Sequence, residues 1–92
     1  MRVQLGAFFV LELPARATAG YQWRIAREPR VAILRKEQIL PAGSVPGGPS
    51  IQEFEFEAIH PGSGELVMEL RRPWESMPIE EYELTVFVSS VS

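Results

Sequence analysis

Ile51-Gln-Glu-Phe-Glu-Phe-Glu-Ala58 is the stretch whose reading decides the fold. Phe54, Phe56 and Ala58 take one side of an extended chain, and Glu53, Glu55 and Glu57 take the other, because successive side chains of a strand point to opposite faces. A helical period would mix the two sets, so the segment is a strand buried on one face and wet on the other.

Working outward from this strand, the same period returns between turn signals. After His60-Pro-Gly-Ser-Gly64, Leu66, Met68 and Leu70 alternate. Pro73, with a fixed φ and no N–H, ends that strand near Arg71 or Arg72. Tyr82, Leu84, Val86 and Val88 make the last strand. Upstream, residues 41–50 hold three prolines, three glycines and two serines, which reads as the longest loop. The apolar segment from Val31 to Leu40 fits a strand, although Arg35 to Gln38 would also fit one helical turn. Tyr21, Trp23 and Ile25 alternate as a third strand. Residues 14–20 read as a loop ending in Gly20. Val3 with Leu5, then Ala7, Phe9, Leu11 and Leu13, give two short strands joined at Gly6.

Seven alternating segments at short intervals, without a convincing helix, predict an all-β fold. The expected architecture is an immunoglobulin-like antiparallel β-sandwich, a single domain over residues 1–92, with Trp23 filling its centre in place of a cysteine pair. If successive strands reverse direction, the loops at 14–20, 41–50 and 72–78 gather at one pole. The connections at Gly6, 27–30 and 60–64 then gather at the other. A rigid sandwich presenting three loops at one end is a binding architecture.

Composition narrows the function classes. A formal charge of -3, with Lys36 as the lone lysine, argues against nucleic acid, which needs clustered cations. No apolar run approaches the roughly 20 residues of a membrane span. Residues 1–17 imitate a signal peptide, but Gln4 and Glu12 interrupt the apolar run, so a mature chain without a signal is expected, cytoplasmic or secreted with its signal removed. The chain has no cysteine and a single histidine, His60, which lies in a turn at the far pole from the three loops. No metal site, cofactor or catalytic pair is expected, and the chain is read as no enzyme. Trp74, just past Pro73 and between Arg72 and Glu75, is either tucked onto the sheet edge or held out as an anchor. Its charged neighbours, and Trp23 as the core indole, favour the anchor.

Three short motifs in order then resemble the chagasin-type inhibitors of papain-like cysteine proteases. The family's first loop reads Asn-Pro-Thr-Thr-Gly-Tyr/Phe with a Trp two residues on, and Arg16-Ala17-Thr18-Ala19-Gly20-Tyr21-Gln22-Trp23 stands there. Its second reads Gly-x-Gly-Gly, and here Val45-Pro46-Gly47-Gly48 leads into the Phe54–Ala58 strand. Its third, Arg-Pro-Trp/Phe, is matched in full by Arg72-Pro73-Trp74. A protein monomeric when free is expected, and the resemblance implies that the first loop enters the protease cleft while the other two grip the enzyme on either side. The contact residues it implies are Thr18, Ala19, Gly20, Tyr21, Gly47, Gly48, Arg72, Pro73 and Trp74, with core packing as a competing role for Tyr21. The rival from another class is an adhesion or assembly module that binds a different protein through the same pole.

The first loop departs from the family at Arg16-Ala17. Proline narrows the free-loop ensemble, and asparagine holds a turn through its own backbone. The double substitution Arg16→Asn, Ala17→Pro is therefore expected to lower the inhibition constant against a papain-like enzyme. An unchanged or higher constant would show that the loop is ordered by other means.

Overall fold

A computed structural model describes residues 1–15, 20–41 and 50–90. Seven strands run in order among them: β1 (Arg2–Gln4), β2 (Phe8–Ala15), β3 (Gln22–Arg27), β4 (Ala32–Pro41), β5 (Ser50–Ala58), β6 (Gly62–Arg71) and β7 (Glu80–Ser89). They form a four-stranded sheet, β1-β7-β6-β3, and a three-stranded sheet, β2-β5-β4. The all-β sandwich read from the sequence is therefore the fold.

Strands β2, β3, β5, β6 and β7 turn inward the face that their alternation assigned, whereas Ile39 and Leu40 of β4 are exposed. On β5, Phe54, Phe56 and Ala58 are buried while Glu53, Glu55 and Glu57 lie at the half-exposed surface. Phe9, Leu11 and Leu13 of β2 pack inward, with Phe8, Val10 and Glu12 outside. Phe9 and Phe56, directly opposite in register, stack with ring centroids 5.3 Å apart. From the other sheet Trp23, Leu66, Met68, Leu70, Val86 and Val88 complete the core. Gly64 sits where residues 29–31 cross β6, and a Cβ there would stand 2.9 Å from the Pro29 Cβ. That glycine is a close-approach residue at the start of a strand, beyond the turn itself.

Three features differ from the sequence-based expectation. First, β1 pairs with β7 in parallel, so the sandwich is not antiparallel throughout. The strand directions do alternate along the chain, but β1 and β7 run the same way and are neighbours in one sheet, which sequence order does not reveal. Second, Pro14 lies inside β2 and not in a loop. β2 is an edge strand, where a missing N–H costs no ladder bond. Third, the uncertain segment is one ten-residue strand, β4, and the polar run at Arg35 is accommodated by a register shift between Leu34 and Lys36 and not by a helical turn.

The two sheets are tied together by the side chains of Gln52 and Trp23. Gln52 is 1% exposed and is the one buried polar residue among the described residues. Its Oε1 accepts from the Trp23 backbone N–H at 2.6 Å, and its Nε2 donates to the Trp23 carbonyl at 3.2 Å. β3 is the edge of its sheet, so the amide of Gln52, reaching across from β5, takes the place of a further strand. The Trp23 indole Nε1 donates to the Pro14 carbonyl at 2.7 Å, a third hydrogen bond between the sheets. Trp23 fills the centre as its position on the third strand indicated.

Gln52→Leu keeps the volume but strands two buried backbone groups, which is expected to cost about 1–3 kcal/mol each. For a domain of this size, melting followed by circular dichroism should fall by roughly 4–8 °C per kcal/mol. A melting temperature within a degree or two of the parent would show that the Gln52 amide contributes little.

Candidate functional site

The register of the strands brings three connections to one end of the sandwich. Ala15 and Pro41 both pair with Ser50, so the end of β2, the end of β4 and the start of β5 lie side by side. In the other sheet Gln22 pairs with Arg71 and Leu70 with Glu80, which places the start of β3, the end of β6 and the start of β7 together. The Trp23 bonds to Gln52 and Pro14 set these two groups of strand ends against each other. At the opposite end, Gly6 donates to Ala58, Leu5 to Ser89, and Ile59 and His60 to Val31. His60 is exposed there, remote from the three connections.

The connection from β6 to β7 is braced at several points. The Glu75 N–H donates to the Arg72 carbonyl at 3.1 Å, closing a turn over residues 72–75. Arg71 Nη1 donates to the Glu75 carbonyl at 2.8 Å, and Arg72 Nη1 meets the Glu75 carboxylate at 3.2 Å. The Ile79 N–H donates to the Leu70 carbonyl and closes the base of the loop. From this frame Trp74 projects with 73% of its surface exposed, and Met77 with 75%. They are the two most exposed large hydrophobic side chains of the described residues, and both lie on this connection. The sequence reading of an exposed Trp74 is what the structure shows.

Trp74 is nevertheless not without neighbours. A Cβ built on Gly20 would stand 3.2 Å from the Trp74 Cη2, so the edge of the indole rests over the Gly20 backbone. Gly20 has a φ of +82°, a conformation that disfavours any side chain. The Arg72 guanidinium lies 4.4 Å from the centre of the Tyr21 ring and 5.9 Å from that of Trp74. Tyr21 also packs against the core, as its alternation with Trp23 indicated.

Of the residues singled out in the sequence, the structure thus brings Gly20, Tyr21, Arg72 and Trp74 together, with Pro73 joining the last two just past the end of β6. Thr18, Ala19, Gly47 and Gly48 lie outside the described residues. Sequence reasoning passed over Met77, whose place between Ser76 and Pro78 on the same connection was the available signal.

The family profile described as chagasin family peptidase inhibitor I42 matches residues 2–86. The chain belongs to the chagasin family. This family consists of peptidase inhibitors, in keeping with the reading of a chain that is no enzyme. Among solved structures, the chagasin-family chain is similar to a cysteine protease inhibitor, EhICP2, from Entamoeba histolytica. The TM-score is 0.82 at 24% identity, covering 97% of this chain and 85% of that one. It is also similar to amebosin, in a solution structure, with a TM-score of 0.71 at 18% identity over 99% of this chain and 87% of that one. At these identities the likeness is one of fold. Among curated proteins no sequence matches.

Because the Trp74 side chain stands mostly in solvent, Trp74→Ala is expected to leave stability within about 0.5 kcal/mol of the parent. A thermal melt is sufficient to check it. A loss on the scale of roughly 3–5 kcal/mol, usual for a buried tryptophan, would return Trp74 to the core.

Proposed function

We propose that this chain is a reversible, tight-binding inhibitor of papain-like cysteine proteases, and that as a monomer it occludes the active-site cleft with the loops over 14–20, 41–50 and 72–78. The observation that carries the reading is Trp74, held out at 73% exposure on a braced connection at the pole where the three loops begin and end. A large indole in water is unfavourable for the free protein and becomes favourable on burial against a partner. Tryptophan and arginine are the residue types that dominate binding energy at interfaces. Family membership supplies the target class of peptidases, and the similar protein from Entamoeba histolytica is a cysteine protease inhibitor.

In this reading Thr18, Ala19 and Gly20 form the part that enters the cleft, without a bulky side chain and so suited to a narrow groove, and Tyr21 stands at its base, packed against the core. Gly47 and Gly48 allow close backbone approach in the second loop. Arg72, Pro73 and Trp74 grip the enzyme from the third. Inhibition needs no reactive group. A loop ordered before binding loses little entropy on entering the groove, and it need not present a peptide bond in attack geometry.

Titration against a papain-like protease at nanomolar enzyme is expected to give stoichiometric inhibition that reverses on dilution, with the intact mass of the inhibitor unchanged after long incubation. Trp74→Ala should weaken inhibition by about 2 kcal/mol, or about thirtyfold, at unchanged stability. Flat protease activity at micromolar inhibitor would overturn the reading in favour of an adhesion or assembly module. Cleavage within 14–20 that tracks recovery of activity would make the chain a slow substrate.

A further inference from the structure

We propose that Tyr21 is a positioning residue, which orders Trp74 through the Arg72 guanidinium, and is not itself a protease contact. The proposal rests on the inhibitory reading only in taking Trp74 as the anchor. Tyr21 stands one residue before β3, packs against the core and carries Arg72 over its ring at 4.4 Å. The same guanidinium is held by the Glu75 carboxylate at 3.2 Å and reaches to 5.9 Å from the Trp74 ring. A planar cation between an aromatic ring and a carboxylate has little rotational freedom left. Trp74 in turn has the Gly20 backbone beneath its edge. The indole is therefore confined between the Gly20 backbone on one strand end and the fixed Arg72 on another.

This arrangement gives Tyr21 a task that a half-buried ring can perform. Its aromatic face is engaged with a cation that belongs to the third loop, and its remaining surface is partly shared with the core. The base of the first loop thereby sets the pose of the third loop's anchor. An exposed indole that was free to rotate would lose that freedom on binding, whereas one already confined would not.

The chain has two tryptophans, so its ¹H–¹⁵N spectrum contains two indole cross-peaks, and the peak missing in Trp74→Ala is that of Trp74. In Tyr21→Leu the Trp74 peak is expected to move while that of Trp23 stays. Tyr21→Phe, which keeps the ring, should leave both in place. Arg72→Met removes the cation and keeps Tyr21, so it should move the Trp74 peak in the same way, and it carries the test should Tyr21→Leu fail to fold. An unmoved Trp74 peak in a folded Tyr21→Leu or Arg72→Met protein would overturn the proposal.

The inhibition constants supply the second readout. Tyr21→Leu should weaken inhibition roughly two- to fivefold in the parent, as expected for loss of a partly exposed cation–ring contact, and should have no further effect on Trp74→Ala. An equal loss in both backgrounds would make Tyr21 an independent contact and overturn the proposal. The two readings fail separately. An unmoved indole leaves inhibition intact, whereas a parent protein that does not inhibit leaves the indole shifts to report the coupling in the free chain.

Discussion

Trp23 sits on an edge strand with its backbone N–H and C=O turned to the interior, and everything at the loop end of the sandwich depends on those two groups finding partners. No strand is available on that side, because the sheet ends at β3. Gln52 of the opposite sheet supplies one acceptor and one donor in a single planar amide, the arrangement a neighbouring strand would have offered. The indole N–H of the same tryptophan is spent on Pro14. Three hydrogen bonds thus connect β3 to β5 and β2 within a few residues of the ends of all three. Buried hydrogen bonds of this kind are costly to leave half-made, which makes the relative placement of the two sheets here close to all-or-none.

A fixed end matters because the β6–β7 connection there carries exposed apolar surface. Trp74 and Met77 add nothing to the core, and in water they are a liability for solubility. Their exposure is sustained by a frame of backbone and guanidinium bonds around Glu75, which makes this connection a short rigid projection. Order of that kind reduces the entropy that association must overcome. The other end of the molecule is built differently, with backbone bonds between strand ends and Gly64, near the start of β6, close against Pro29.

Much of the fold was legible in the chain. Strict alternation at Phe54 to Ala58, at Leu66 to Leu70 and at Tyr82 to Val88 fixes both the strand type and the buried face, since a shift of one residue would turn every apolar side chain to water. Pro73 marks the end of β6 by its missing N–H, and the charged neighbours of Trp74 point it outward. The same period that buries Phe54 and Phe56 also turns Gln52 inward, so the presence of one amide in the core was readable, but its partner was not. Trp23 lies 29 residues away, and only the stacking of the sheets decides which atoms meet. Met77 carried no periodic signal, because it lies on a connection.

The sequence by itself determined the alternation of faces, the places where strands must stop and the residue types gathered in each connection, because these follow from the geometry of an extended chain and from proline and glycine chemistry. Only the tertiary structure decided the parallel pairing of β1 with β7, the acceptance of Pro14 within an edge strand, the Gln52–Trp23 bridge, and the placing of Tyr21, Arg72, Trp74 and Gly20 against one another. Each of these is a contact between residues far apart in the chain, or depends on which strand ends up at an edge. Such neighbours are chosen by the closing of two sheets over one core, and no local pattern encodes them.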